Sequence, residues 1–369
     1  MNERIIPVVM PKWGLSMKEG TLTEWHVKEG DTIEVGQIIM DVETDKIASE
    51  VEAPDAGLLR RCIGQEGDVY GVQALLGVLA PDDVSDQDIA SFIASYQEPA
   101  TDEGNDDEKQ TAYQYLDTNA GKIRYSYRQG EGKPFVLIHG FGGDLDNWLF
   151  NIDTLNEKGP VLVLDLPGHG QSTASTEALT IELLSQSVVD VMTANDIHKA
   201  HLVGHSMGGL ICGHLALTHP DIAHSLSLIA SAGLGTDINT HYIHGFVSAQ
   251  NRRELKPILQ LLFADPALVT RNLVDDVLKY KRLDGIHHLL DTLSANLFKE
   301  TQQRSVISEQ LDQLSLPILT LWGEQDLVIP SQHAASLTKA NIHVLSAAGH
   351  MVQMEAASAV NAAILAHTQ

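Results

Sequence analysis

The sequence predicts two domains of different class, a small all-β sandwich followed by an α/β domain with a mostly parallel sheet. Three observations support this prediction. A β-rich stretch near the N-terminus repeats itself, apolar strands alternate with helical stretches over the last two thirds of the chain, and residues 204–208 place a serine between two glycines after an apolar run. A chain of 369 residues has room for two such domains at about 150 residues each.

The composition is strongly acidic, with 24 Lys and Arg against 49 Asp and Glu and a net charge of −25. This excess disfavours binding to nucleic acid or to anionic membranes, because both depend on clustered Lys and Arg. No apolar run approaches the ~18 residues of a membrane span, and the N-terminus lacks signal-peptide features. Cys62 and Cys212 are far apart and neither belongs to a CxxC pair, so we expect a cytoplasmic protein with no disulfide and no metal site.

The first 80 residues contain two copies of one β unit. Residues 28–39 align with residues 65–76, and Glu, Gly, Asp and Val recur at the same offset. Two copies are too few for a solenoid. The repeat therefore predicts a small closed sandwich with internal twofold symmetry.

A hairpin is predicted between the two copies. The flanks of residues 42–51 alternate apolar and polar side chains, whereas residues 43–46 are polar and compatible with a turn. Lys46 is therefore expected at the hairpin tip, where a solvated turn lysine is the simplest interpretation of the residue by itself. Trp13, Leu15 and Trp25 are expected to pack in the core or in loops.

Residues 5–80 resemble the lipoyl domains of 2-oxo acid dehydrogenase and related complexes. The matching residues are Met10–Gly20, Glu43–Ile47 and the two Glu-Gly-Asp repeats. The resemblance implies a biotinyl/lipoyl-type sandwich in which (R)-lipoate is attached to Lys46 by an amide bond, as a swinging arm that carries an acyl thioester. Biotin is the alternative. The lysine of a biotin carrier normally lies between two methionines, whereas Lys46 lies between Asp45 and Ile47.

Residues 81–110 are predicted to form a flexible linker after the lipoyl domain of residues 1–80. They contain ten acidic residues and one lysine, a composition typical of a solvated, extended chain. Such a chain spans about 30 Å and would let a carrier domain visit more than one active site. Ser85 is suited to an N-cap, so a short helix over residues 85–94 is compatible with the sequence.

Residues 111–369 are predicted to form the catalytic domain. Apolar runs predict strands at residues 113–117, 123–128, 134–138, 160–165, 201–204, 225–230, 317–322 and 341–345. Helical stretches separate most of the later strands, which indicates a mostly parallel sheet covered on both faces. Residues 232–300 interrupt this alternation and are expected to form a helical cap, with one helix starting at Asp265-Pro266.

Ser206 is the candidate nucleophile. Leu202 and Val203 lead into Gly204-His205-Ser206-Met207-Gly208, and helix-compatible residues follow. A serine at such a strand-to-helix turn has a strained backbone, and small residues two before and two after it let neighbouring backbone pass close by. An ordinary turn with a solvated serine is the alternative interpretation.

Three motifs in residues 111–369 resemble the α/β-hydrolase family, in the order found in that family. They are His139–Gly143, Asp165–Gly170 and Gly204–Gly208. The resemblance implies an α/β-hydrolase fold with a helical cap and a catalytic triad. A serine nucleophile needs a base to take its proton and an acid to orient that base.

The resemblance also implies roles for individual residues, since the triad order in this fold is serine, acid, histidine. His350 is the base and Asp326 is the acid, with Glu324 as the competing carboxylate. The oxyanion hole is expected to consist of the backbone N–H groups of Phe141 and Met207. Structural roles are expected for His139, His169 and His205.

The pairing of these two domains resembles the E2 components of acetoin dehydrogenase complexes. The resemblance implies that a thiamine-diphosphate E1 cleaves acetoin and acetylates the lipoyl arm. The second domain then passes the acetyl group to coenzyme A, a flavoprotein E3 reoxidises the arm, and the chain forms a homo-oligomer. The sequence lacks the His-x-x-x-Asp-Gly acyltransferase domain of ordinary E2 chains and a recognisable peripheral-subunit-binding domain, so a large cubic core is not implied.

Three functions are compatible with these residues. The first is acetyl transfer to coenzyme A through an acyl-Ser206 intermediate. The second is hydrolysis by an esterase, thioesterase or C–C hydrolase that carries a lipoyl domain for tethering. The third is a lipoyl carrier whose hydrolase-like domain is an inert scaffold. No Gly-rich phosphate loop or basic cluster in the sequence indicates where coenzyme A binds.

Overall fold

The computed structural model describes residues 4–13, 17–44, 47–96, 113–175, 179–299 and 301–369. The chain divides into two compact units, an N-terminal unit and a larger C-terminal unit. Leu15, Lys46 and the linker residues 97–110 lie outside the described residues.

Two four-stranded antiparallel sheets form the described part of the N-terminal unit. Their strands are β1 (Ile6–Val9), β2 (Glu19–Trp25), β3 (Thr32–Ile33), β4 (Ile38–Glu43), β5 (Ala48–Glu52), β6 (Gly57–Cys62), β7 (Val69–Gly71) and β8 (Leu75–Leu79). The sheet orders are β1-β8-β6-β3 and β5-β4-β2-β7. Each repeat copy gives an edge strand to one sheet and the second strand to the other, which confirms the predicted twofold symmetry.

The side chains between the two sheets form a continuous apolar core. Met10, Leu22 and Met40 are fully buried in it, and Trp13 and Trp25 pack against it. The prediction that these two tryptophans have packing roles is confirmed.

A helix, α1 (Asp86–Ser95), extends the N-terminal unit beyond the predicted boundary. The Ser85 side chain accepts a hydrogen bond from the backbone N–H of Asp88 and caps the helix. Ile89 is fully buried, and Phe92 and Ile93 pack on the same apolar cluster of the sandwich. The short helix that the sequence allows over residues 85–94 is therefore present and packs on the sandwich. Its three apolar residues lie at helical spacing and face the sandwich, whereas Asp86 and Asp88 are exposed.

An eight-stranded sheet forms the centre of the described part of the C-terminal unit. Its strands are β9 (Gln114–Thr118), β10 (Gly121–Arg128), β11 (Phe135–Ile138), β12 (Val161–Leu164), β13 (Ala200–His205), β14 (Ala223–Ile229), β17 (Ile318–Gly323) and β18 (Asn341–Leu345). The order is β18-β17-β14-β13-β11-β12-β10-β9, and only the pairings of β10 with β12 and with β9 are antiparallel. The predicted strands and the mostly parallel arrangement are confirmed.

Helices connect these strands and form the cap between β14 and β17. Outside the cap they are α2 (Ile152–Asn156), α3 (Ile181–Ala194), α4 (Met207–Thr218), α9 (Ser308–Leu311), α10 (Val352–Glu355) and α11 (Ala357–His367). The cap contains α5 (Thr240–Ser248), α6 (Arg252–Leu259), α7 (Arg271–Lys281) and α8 (Ile286–Leu297), followed by the short strands β15 (Phe298–Lys299) and β16 (Gln302–Gln303). Within the described ranges, no helix is both long and apolar enough to cross a membrane.

One predicted helix start in the cap is wrong. Asp265 caps a single 3₁₀ turn, Pro266–Leu268, instead of a long helix. The turn ends because Val269 leaves the helical region with φ −80° and ψ 84°. Helix α7 then begins separately at Arg271.

Candidate active site

Ser206 lies at the sharp turn between β13 and α4. Its φ of 53° and ψ of −119° place it in a backbone region that a serine rarely adopts. The Ser206 N–H donates to the carbonyl of Ile229 at the end of β14, with an N to O distance of 2.9 Å. The serine is therefore fixed at the carboxyl edge of the parallel strands, where this class of sheet places its reactive groups.

The glycines around Ser206 are required by close backbone packing. A Cβ atom on Gly204 would lie 2.3 Å from the carbonyl oxygen of Gly208, and one on Gly208 would lie 2.1 Å from the carbonyl oxygen of Ile138. A Cβ atom on Gly140 would lie 2.9 Å from the Cβ of Ser206. Any larger residue would push these segments apart, so the turn depends on glycine at all three positions.

His350 and Asp326 are hydrogen-bonded to each other. His350 follows β18 and Asp326 follows β17, and the distance from His350 Nδ1 to Asp326 Oδ2 is 2.8 Å. The two side chains are only 2% and 0% exposed. Because a carboxylate only accepts, Nδ1 donates, and Nε2 of a neutral His350 is left to take a proton. The competing carboxylate, Glu324, is exposed.

The second oxygen of Asp326 is also held. Oδ1 accepts hydrogen bonds from the backbone N–H groups of Val328, at 2.8 Å, and Ile329, at 2.9 Å. Both carboxylate oxygens are thus occupied, and the orientation of the Asp326 side chain toward His350 is fixed.

Two backbone donors at this edge of the sheet are available to an anion. Met207 is the first residue of α4, so its N–H has no acceptor within the helix and lies at the positive end of the helix dipole. Neither this N–H nor that of Phe141 has a hydrogen-bond acceptor within the part of the chain that the structure describes. The two donors suit a developing oxyanion.

A buried ion pair holds the loop that contains Phe141. Arg124 Nε donates to Asp165 Oδ2 at 2.6 Å, and the two side chains are 4% and 0% exposed. Asp165 also accepts from the backbone N–H groups of Leu145, at 2.9 Å, and Gln171, at 2.8 Å. The sequence analysis gave Arg124 no role, because a buried charge pair across two strands becomes visible only once the strands are placed.

Three further histidines bind backbone groups, as the structural interpretation predicts. His139 Nδ1 donates to the Gly140 carbonyl at 2.7 Å, and its Nε2 accepts from the Leu166 N–H at 2.9 Å. His169 Nδ1 donates to the carbonyl of Pro167. His205 Nε2 donates to the His350 carbonyl at 3.0 Å, and burial lowers the pKa of His205 well below its ordinary value.

Lys46 lies outside the described residues, and its neighbours fit an arm-bearing lysine. The Thr44 N–H donates to the Ile47 carbonyl at 2.9 Å, and the Ile47 N–H donates to Thr44 Oγ1 at 3.1 Å. The hairpin of β4 and β5 is therefore closed by these two residues. In the described ranges, no group of three or more His, Cys, Asp or Glu side chains could hold a metal ion.

Two family models match the chain. The model of the alpha/beta hydrolase fold matches residues 133–357, and the model described as biotin-requiring enzyme matches residues 6–79. Among solved structures, a meta-cleavage product hydrolase from Pseudomonas fluorescens superimposes with a TM-score of 0.63. It is 21% identical and covers 70% of this chain and 98% of its own, so the similarity supports the fold alone.

Two relatives match over essentially the whole chain. The dihydrolipoyllysine-residue acetyltransferase component of the acetoin cleaving system of Cupriavidus necator is 49% identical, over 100% of this chain and 98% of its own length. The component with the same name from Pseudomonas putida is 45% identical, over 98% of both chains. With both domains in the same order and relatives of this identity, the chain belongs to the family of dihydrolipoyllysine-residue acetyltransferase components of acetoin cleaving systems.

Proposed function

We propose that this chain transfers an acetyl group from a lipoyl arm on Lys46 to coenzyme A through an acetyl-Ser206 intermediate. Ser206 is the nucleophile, His350 the base and Asp326 the acid that orients it. The observation that carries the proposal is the buried 2.8 Å hydrogen bond between His350 and Asp326, at the carboxyl edge of the sheet that also presents Ser206 on a strained turn. The names of the two relatives support transfer over hydrolysis.

The N-terminal unit is the carrier in this proposal. When bound, the lipoyl group supplies an acetyl thioester at the end of a flexible arm. Lys46 lies in the sequence between Thr44 and Ile47, the two residues whose hydrogen bonds close the hairpin of β4 and β5. The family model for this unit also includes biotin carriers, but the relatives are named for a dihydrolipoyl lysine, which favours lipoate.

In the first half-reaction, Ser206 Oγ attacks the carbonyl carbon of the thioester. The serine proton passes to His350 Nε2 as the new C–O bond forms. His350 then gives this proton to the departing thiolate as the C–S bond breaks, which leaves acetyl-Ser206. The N–H groups of Phe141 and Met207 stabilise the intervening oxyanion, by about 3 to 4 kcal/mol each.

The second half-reaction reverses these roles. His350 Nε2 accepts the proton of the coenzyme A thiol, and the sulfur attacks the acetyl carbon. The bond from the acetyl carbon to Ser206 breaks, and His350 returns the proton to Ser206 Oγ. One thioester is exchanged for another with no change in oxidation state, and water in place of the thiol would give acetate.

Other components complete the proposed cycle. A thiamine-diphosphate-dependent E1 would cleave acetoin and acetylate the arm, and a flavoprotein E3 would reoxidise the dithiol after transfer. The names of the relatives, which are components of an acetoin cleaving system, support this assignment. We propose that the chain acts in the complex as a homo-oligomer.

Product analysis of a Ser206→Ala variant tests this function. Lipoylated protein with an acetylated dihydrolipoyl arm is mixed with excess coenzyme A, and acetyl-coenzyme A and acetate are measured together. We expect the wild type to form mainly acetyl-coenzyme A and the variant to lose at least about 10³-fold in rate, because the nucleophile is gone. Ser227→Ala is the matched control, since Ser227 is buried on β14 and its hydroxyl has no hydrogen-bond partner within the described residues.

Two results would contradict the proposal. A wild type that forms mainly acetate despite ample coenzyme A would be a hydrolase. A Ser206→Ala variant that forms acetyl-coenzyme A at the wild-type rate would mean that the hydrolase-like domain is a scaffold.

A further inference from the structure

The first cap helix, α5, begins at Asn239, a residue that also contacts the loop containing Asp326. Asn239 Oδ1 accepts hydrogen bonds from the backbone N–H groups of His241, at 3.1 Å, and Tyr242, at 3.4 Å. This is an N-cap, in which a side-chain oxygen satisfies the free donors of the first helical turn.

The nitrogen end of the same side-chain amide binds the loop of residues 324–330, which contains Asp326 and is called the acid loop below. Asn239 Nδ2 donates to the carbonyl oxygen of Leu327 at 2.7 Å, and the backbone N–H of Asn239 donates to the carbonyl oxygen of Val328 at 2.8 Å. Backbone N–H groups only donate and carbonyls only accept, so these partners fix which end of the amide is oxygen. Asn239 thus caps the helix and ties it to the acid loop with one side chain.

The hydrogen bonds from Asn239 to the acid loop connect to further hydrogen bonds that reach the proposed catalytic residues. The N–H of Val328 donates to Asp326 Oδ1, while the carbonyl of Val328 accepts from the backbone N–H of Asn239. The other oxygen of Asp326 accepts from His350 Nδ1. One hydrogen-bonded path therefore joins the backbone at the start of helix α5 to His350, and the side-chain bond from Asn239 to Leu327 holds the neighbouring residue of the same loop. The two segments also line a polar cleft of about 330 Å³ beside the tie, which leaves solvent next to these hydrogen bonds.

The C-terminal end of α5 contacts the loop of residues 139–144, which contains Phe141. The rings of Phe246 and Phe141 are 5.8 Å apart in an edge-to-face arrangement. A Cβ atom on Gly142 would lie 2.4 Å from the Phe246 ring, so the helix is in close contact with this loop. The ammonium group of Lys281 on α7 donates to the carbonyls of Phe246 and Val247 at the end of α5.

We propose that Asn239 is a positioning residue for acetyl transfer, because its side-chain hydrogen bond to the Leu327 carbonyl holds the loop whose N–H groups orient the Asp326 carboxylate toward His350. The inference rests on the proposed function in one respect, the role of Asp326 in orienting His350. The position of cap helix α5 and the orientation of His350 are therefore linked through the loop that contains Asp326.

The test compares Asn239→Ser with Asn251→Ser in the full, lipoylated chain. A serine at position 239 keeps an N-cap oxygen but is too short to reach the Leu327 carbonyl. Asn251 is the matched control because it is the N-cap of α6, where its side chain accepts from the Glu254 N–H and donates to the Glu254 carboxylate. The measurements are kcat and KM for hydrolysis of a chromogenic acetyl ester, and the proton NMR resonance of the His350 Nδ1–H, assigned by its loss in His350→Gln.

We expect Asn239→Ser to lower kcat about fivefold with KM nearly unchanged, as one aligning hydrogen bond is lost. The low-field resonance of His350 should broaden or move upfield, because the bond to Asp326 is loosened. Asn251→Ser should leave both observables at wild-type values. Asn239→Asp, which keeps the cap oxygen but cannot donate to Leu327, should reproduce the losses of Asn239→Ser even with an unchanged melting temperature.

The inference is overturned if Asn239→Ser and Asn239→Asp keep wild-type kcat and an unchanged His350 resonance. It is also overturned if Asn251→Ser reduces kcat and shifts the resonance to the same extent. Failure of the proposed function has a different signature, since Ser206→Ala would then retain acetyl transfer whatever Asn239 does to the resonance.

Discussion

Buried histidines of the C-terminal unit, among them His139, His169 and His201, are destabilised as cations. Burial lowers the pKa of His139 to about 4, of His169 to about 3 and of His201 to about 4. An unfolded histidine has a pKa of about 6.5. Each group therefore contributes stability that is fully present above that pH and is lost as the pH falls toward the folded-state value.

We expect the free energy of unfolding to decrease steeply between pH 6.5 and pH 4. Each of these histidines should contribute a slope of up to about 1.4 kcal/mol per pH unit, because the unfolded chain binds a proton that the folded chain does not. Urea unfolding at a series of pH values measures the slope. His201→Gln should reduce it by about one such increment. An unchanged slope in that variant would show that His201 is not buried in its neutral form.

At the scale of single elements, α1 shows how a short helix is stabilised by a surface it covers. The helix combines an N-cap at Ser85 with three apolar side chains that pack on the sandwich. The Tyr96 hydroxyl adds a hydrogen bond to the carbonyl of Gln73 at 3.0 Å. In isolation a ten-residue helix is marginal in water, so the packing supplies most of its stability.

We predict that a fragment of residues 1–96 is more stable than a fragment of residues 1–80 by roughly 2 to 3 kcal/mol, the value of a few buried apolar side chains less their ordering. Urea unfolding followed by fluorescence of Trp13 and Trp25 measures the difference. Ile89→Ala in the longer fragment should remove most of the gain, whereas Gln87→Ala, on the exposed side of the helix, should not. Equal midpoints for the two fragments would contradict the packing described for α1.

Short sequence patterns predicted most strands, helices and turns. They did not predict hydrogen bonds between residues that are far apart in the sequence. The symmetric sandwich follows from a repeat within 50 residues of sequence, and the turn at Ser206 follows from five consecutive residues. The tie from Asn239 to Leu327 joins residues 88 positions apart, and the pair of Arg124 and Asp165 joins residues 41 positions apart. An asparagine before a helical stretch predicts an N-cap, but no residue near Asn239 in the sequence predicts its hydrogen bond to the Leu327 carbonyl.

On the scale of the whole molecule, the two units divide the proposed reaction between them. The N-terminal unit presents a hairpin for a lysine-borne arm, and the C-terminal unit positions a serine, a histidine and a carboxylate at one edge of a parallel sheet. The acidic character of the chain, with a net charge of −25, is compatible with a basic surface on a partner protein. The central claim that joins the units is the passage of the acetyl group through Ser206.

Mass spectrometry of acid-quenched protein tests this passage most directly. Lipoylated chain is acetylated on its arm without coenzyme A, quenched, and digested to separate the peptides that contain Lys46 and Ser206. Our account predicts that an acetyl group appears on the Ser206 peptide and disappears when coenzyme A is added, as acetyl-coenzyme A forms. If acetyl-coenzyme A forms at the full rate while the Ser206 peptide stays unmodified at every quench time, the acetyl group does not pass through Ser206 and the account is wrong.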